Sequence, residues 1–126
     1  MKVRVLLIDD HDDARAALAE RLRRDARLDL VGSVHSLEEA GALIANARPD
    51  VVLLDTHRRD GRGIDACREL RRLTDAPVVA LASFMTPQLW RAFQEAGATD
   101  YLLKHVDTQR LGRSIVRFAG RHGEPR

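Results

Sequence analysis

At 126 residues, 44% hydrophobic and 32% charged, the chain is long enough for one packed domain and too apolar for a disordered tail. Lysine and arginine total 21 and aspartate and glutamate 19, a formal charge of +2 at pH 7, so the composition does not announce a nucleic-acid binder. The single cysteine, Cys67, excludes an internal disulfide and a cysteine-rich zinc site, and no apolar run approaches the ~18 residues of a membrane span or a secretory leader, which predicts a soluble cytoplasmic protein.

Val3 to Ile8 reads as a largely buried strand that stops at Asp9-Asp10. Ala14 to Arg24 reads as a helix, with Ala14, Ala17, Leu18 and Leu22 along its apolar face and Arg15 and Arg23 opposite. Leu28 to Val34 is a second strand. Ser36 caps the next helix and Glu39, three residues on, completes a capping box; Leu37, Ala40, Ile44 and Ala47 share a face, and the helix ends before Pro49.

Val51 to Leu54 forms a third strand ending in Asp55, followed by a polar loop from His57 to Gly63. Ile64 to Leu73 is helical, with Cys67 a small packed residue near Ile64 and Leu70. Pro77 to Ala82 is a fourth strand ending at Ser83. Thr86 caps a helix with Pro87 at its first position, running to about Ala96 with Leu89, Ala92, Phe93 and Ala96 as its stripe. Asp100 to Leu103 is a short fifth strand ending at Lys104, and Asp107 caps a last helix that fades near Gly120. Residues 1–120 form the domain and 121–126 a tail or linker stub; this C-terminal stretch is basic, Arg110, Arg113, Arg117, Arg121 and Arg126 against Asp107 and Glu124.

Strict alternation of five strands with five helices implies an α/β fold, a parallel sheet with right-handed crossovers and helices on both faces. Ligands of such sheets bind at the carboxyl ends of the strands. Asp9-Asp10, Asp55, Ser83 and Lys104 all fall on that edge. Three carboxylates at one edge repel one another, and a hard divalent cation, Mg²⁺ above all, would neutralise them. A cation, a lysine and a hydroxyl around one carboxylate are what a phosphoryl group on that carboxylate needs.

In this order and spacing the residues resemble the receiver domain of two-component response regulators, over essentially the whole chain. The acidic pair matches Asp9 and Asp10, the phosphoacceptor Asp55, the hydroxyl residue Ser83, the lysine Lys104, the glycine eight residues past the phosphoacceptor Gly63, and the rotameric aromatic Tyr101. The resemblance implies a flavodoxin-like (βα)5 fold with strand order 2-1-3-4-5. It implies a histidine kinase partner that donates a phosphoryl group to Asp55. Mg²⁺ would be held by Asp10, Asp55 and the backbone carbonyl of His57, with Asp9 contributing directly or through water. Ser83 and Lys104 would be drawn to the phosphoryl group, and Tyr101 would turn inward. That repacks the face of helix four, strand five and helix five, a surface suited to a homodimer. No enzyme activity beyond the domain's own phosphorylation and dephosphorylation is implied, and DNA would be met only through an output domain outside this chain, in transcription control.

Departures from the family pattern are Arg59 and His105 where prolines are usual, Phe84 where a small residue is usual and which could crowd access to the phosphoryl site, and the charged loop Arg58 to Arg62. Taken singly the signals are weak. Asp9-Asp10 reads as a capping pair, Tyr101 as a half-buried aromatic, His57 as a solvated loop imidazole, and Trp90 as either packed on a neighbour or exposed for a partner. Rival functions are a cobalamin-type binding domain, whose glycine should stand at Asp60; a haloacid-dehalogenase-type phosphohydrolase, which wants an aspartate at His57; and a degenerate receiver acting as a phosphorylation-independent scaffold.

Overall fold

The computed structural model describes residues 1–122, with side chains as far as Gly120. Its elements are β1 (Val3–Ile8), α1 (Asp12–Arg23), β2 (Leu28–Val34), α2 (Leu37–Ala47), β3 (Val51–Asp55), α3 (Gly63–Leu73), β4 (Val78–Ala82), α4 (Pro87–Glu95), β5 (Asp100–Leu103) and α5 (Thr108–His122). The strands form one parallel sheet in the order β2-β1-β3-β4-β5. This is the flavodoxin-like fold that the alternation and the resemblance predict. The proposed tail at 121–126 falls beyond the described side chains, and 123–126 lie outside the described residues altogether.

The central strands are apolar on both sides because both sides are covered. Val5, Leu7, Val51, Leu53, Val79 and Leu81 face one layer, where Leu18, Ala19 and Leu22 of α1 meet Leu111, Ile115 and Phe118 of α5. Leu6, Ile8, Val52, Leu54, Val78 and Ala80 face the other, against Ala40 and Ile44 of α2, Cys67 and Leu70 of α3, and Phe93 of α4. Among the described residues no helix is long and apolar enough to cross a membrane.

Local chemistry sets the helix starts. Ser36 Oγ accepts the Glu39 N–H at 3.1 Å, Thr86 Oγ1 the Leu89 N–H at 3.1 Å, and Asp107 Oδ1 the Arg110 N–H at 2.9 Å. The α1 face differs from the sequence reading. Ala14 and Ala17 are exposed, and the buried stripe is Leu18, Ala19 and Leu22, with half-buried Arg15 at its head. Both stripes satisfy helical spacing, and alanine marks a face weakly. Arg15 wins its place through polar contacts: Nη1 donates to the Asp9 carbonyl at 2.9 Å and to Asp12 Oδ1 at 3.0 Å.

Candidate phosphoacceptor and cation site

Parallel pairing brings the strand ends to one edge: Ile8 is opposite Leu54, Asp55 opposite Leu81, and Ala82 opposite Leu103. The next side chains therefore converge. Lys104 Nζ lies 3.1 Å from Asp55 Oδ1 and 3.4 Å from Asp9 Oδ2. The loop that carries Lys104 is braced by Arg21 of α1, whose Nη1 donates to the Lys104 carbonyl at 3.1 Å and Nη2 to the Val106 carbonyl at 2.6 Å.

Asp9 and Asp55 are the two buried charged residues among those described. For Asp55, burial and then the neighbouring Asp9 charge push the carboxyl above its ordinary value, and Lys104 offsets them only in part. Burial also pushes Asp9 upward, but the His11 backbone N–H at 2.9 Å and the Lys104 ammonium outweigh it, so Asp9 titrates below the ordinary value. Two close carboxylates with opposite shifts are the mark of an edge short of positive charge.

Asp10 supplies the test of whether a cation fits. Its Oδ2 accepts the Arg59 backbone N–H at 2.9 Å, with Arg58 Nη2 4.0 Å away. Its Oδ1 is buried and has no hydrogen-bond partner. An unsatisfied buried carboxylate oxygen beside two more carboxylates suits an oxygen-seeking dication. Asp9, Asp10, Asp55 and His11 place one donor atom each within 4.8 Å of one another. The Arg59 contact needs a backbone N–H, which a proline at that position would lack.

His11 is the residue that sequence reasoning missed. Its Nδ1 lies 3.1 Å from Asp9 Oδ1, 3.2 Å from Asp10 Oδ1 and 3.2 Å from Asp55 Oδ2. The available signal was its place, directly after the acidic pair and at the N-cap of α1, where its side chain makes no capping bond.

The other site residues are placed unevenly. The His57 N–H donates to Asp55 Oδ1 at 3.3 Å, and its exposed ring stacks parallel to His11 with centroids 6.2 Å apart. Ser83 is exposed and its hydroxyl bonds to none of the three carboxylates. Tyr101 is 40% exposed and turned outward, its ring 5.1 Å from that of half-buried Trp90. Phe84 is 70% exposed.

Residues 5–116 match the sequence profile of the response regulator receiver domain. The chain belongs to that family. The receiver domain is 38% identical over 114 residues to the DNA-binding transcriptional activator DevR/DosR of Mycobacterium tuberculosis, covering 90% of this chain and 52% of that protein. It is 34% identical over 125 residues to the transcriptional regulatory protein LiaR of Bacillus subtilis, covering 98% of this chain and 58% of that one. The receiver domain thus spans somewhat over half the length of these relatives. In structure it superposes on the signal receiver domain of the response regulator NarL of Mycobacterium tuberculosis with a TM-score of 0.83 and 25% identity, covering 98% of each chain. These findings make the chain a receiver domain of a two-component response regulator. They do not favour the cobalamin-type or scaffold readings.

Proposed function

We propose that Asp55 accepts a phosphoryl group from a phosphohistidine on a histidine kinase, and that the receiver domain switches its α4–β5–α5 face in response. The observation that carries this reading is the convergence of Asp9, Asp10, Asp55 and Lys104 at one sheet edge, with Lys104 Nζ 3.1 Å from the acceptor carboxylate. In the transfer the phosphorus–nitrogen bond of the donor breaks and a bond from an Asp55 oxygen to phosphorus forms; the departing imidazole leaves with its electron pair.

Asp9, Asp10, Asp55 and the His57 carbonyl would hold Mg²⁺, which offsets charge on the phosphoryl oxygens. Lys104 holds its ammonium at the acceptor and pairs with the same oxygens after transfer. Ser83 reaches the phosphoryl group only by moving inward from its exposed position, and the space it vacates lets Tyr101 turn in, away from Trp90. A homodimer through that face follows. The unit is residues 1–120, with 121–126 as a linker stub. In the cell it works in the cytoplasm, where its kinase is fuelled, and controls transcription through an output domain that meets DNA. Its chemistry is confined to its own phosphorylation and dephosphorylation.

The test is incubation with Mg²⁺ and acetyl phosphate, read by intact mass. The wild type gains one phosphoryl group and Asp55→Asn gains none; an unlabelled wild type, or a labelled variant, refutes the reading.

A further inference from the structure

The pocket contains a donor that a purely oxygen-lined site has no need of. The His11 imidazole is 31% exposed, and its Nδ1 is 3.1, 3.2 and 3.2 Å from one oxygen each of Asp9, Asp10 and Asp55. Neighbouring donors on an octahedral ion with bonds of about 2.1 Å lie about 3.0 Å apart; around a tetrahedral ion the spacing is about 3.3 Å. The three distances fall between those values. One of the three oxygens, Asp10 Oδ1, has no hydrogen-bond partner. The His11 backbone N–H bonds Asp9 Oδ1 at 2.9 Å, and the His57 ring lies nearly parallel to the imidazole, with centroids 6.2 Å apart and an interplanar angle of 16°.

We propose that His11 Nδ1 is itself a ligand of this pocket, which makes it a mixed imidazole–carboxylate site favouring a late first-row transition dication such as Zn²⁺ over what three carboxylates alone would select. The proposal deepens the reading of the pocket as the phosphoacceptor's cation site and rests on it. Carboxylates suit Mg²⁺, a hard ion that keeps its waters, whereas neutral imidazole suits Zn²⁺ and its neighbours. Every N/O site binds Zn²⁺ more tightly than Mg²⁺, so the informative quantity is how the ratio of the two affinities depends on His11.

Isothermal titration of the whole chain with ZnCl₂ and with MgCl₂ measures that ratio in wild type, His11→Ala and His11→Asn. His35→Ala is the control, because His35 is an exposed imidazole paired with Glu39 at 2.9 Å and is not among the four clustered donors. Both His11 variants lose Zn²⁺ affinity by about tenfold or more relative to Mg²⁺, and the His11 Nδ1 resonance of ¹⁵N-labelled wild type shifts when Zn²⁺ is added. A smaller selective loss overturns the proposal, as does an equal loss in His35→Ala or an unmoved Nδ1 resonance. So does tighter binding of both ions by His11→Ala, which would make the imidazole a placeholder that the ion displaces. Labelling of wild type and His11→Ala by acetyl phosphate in Mg²⁺ is scored separately, so failure of the phosphoacceptor reading is distinguishable from failure of the ligand assignment.

Discussion

Asp55 carries the proposed chemistry and an energetic penalty together. Its carboxyl is pushed up by burial and by Asp9, so its ionised form is disfavoured in the folded state relative to the unfolded chain. An acid with a raised folded value destabilises the fold at pH above that value, and the cost vanishes as pH falls towards the ordinary 3.8. Asp55→Asn without metal is therefore expected to unfold later in urea at pH 7, by on the order of 1 kcal/mol. The gain should shrink as pH is lowered through the window between Asp55's raised folded value and 3.8. Asp9 has the opposite sign: its lowered value contributes stability above 3.8 that is lost below it. A variant no more stable than wild type at pH 7 would contradict this account of the pair. Cys67 shows burial without a site, its thiol pushed up to about 11 by desolvation and so held unreactive.

At the scale of elements, the β3–α3 connection matters most. It carries Asp55, bends past His57, clasps Asp10 through the Arg59 N–H, and enters α3 at Gly63. A Cβ at Gly63 would stand 2.5 Å from the Thr56 carbonyl oxygen, a backbone atom with no room to swing away. Gly63→Ala should cost roughly 1–3 kcal/mol of stability by overpacking alone. Because the strain falls on the residue after the acceptor, labelling of Asp55 should slow as well. Thermal melting and the rate of acetyl phosphate labelling check the two effects; a variant that melts with wild type removes the packing argument. The α1 helix shows the same dependence on neighbours, since its Arg15 and Arg21 reach the Asp9 and Lys104 backbones.

At the scale of the molecule, two helical layers enclose the sheet and leave its carboxyl edge as the place where buried like charges collect. A ligand that binds only the folded state stabilises it by mass action, roughly 2.7 kcal/mol at a hundredfold excess over its Kd. Mg²⁺ should therefore raise the melting temperature of wild type, and chelation with EDTA should reverse the shift. Asp10→Asn, which alters the unsatisfied oxygen, should lose most of it. An equal Mg²⁺ shift in wild type and Asp10→Asn would place the ion elsewhere. In the proposed switch the opposite end of the signal is the α4–β5–α5 face, where Trp90 and outward Tyr101 are in ring contact, an aromatic pair available to repack.

Periodicity, caps and strand-terminal residues are local properties, and the sequence by itself determined the ten elements, their alternation, the caps at Ser36, Thr86 and Asp107, and the shared edge of Asp9, Asp10, Asp55 and Lys104. Distances across strands are not local. Only the tertiary structure decided that Lys104 lies nearer Asp55 than Asp9, that Ser83 faces solvent, and that Arg15 rather than Ala14 or Ala17 lies along the inner side of α1. It also decided that His11 enters the pocket and that the Arg59 N–H clasps Asp10. The physical reason is that a helix stripe built of alanines is nearly degenerate, and an imidazole beside an aspartate pair can turn to water or inward. Strand register and the packing of both helical layers remove that freedom, and no single segment contains the information to do so.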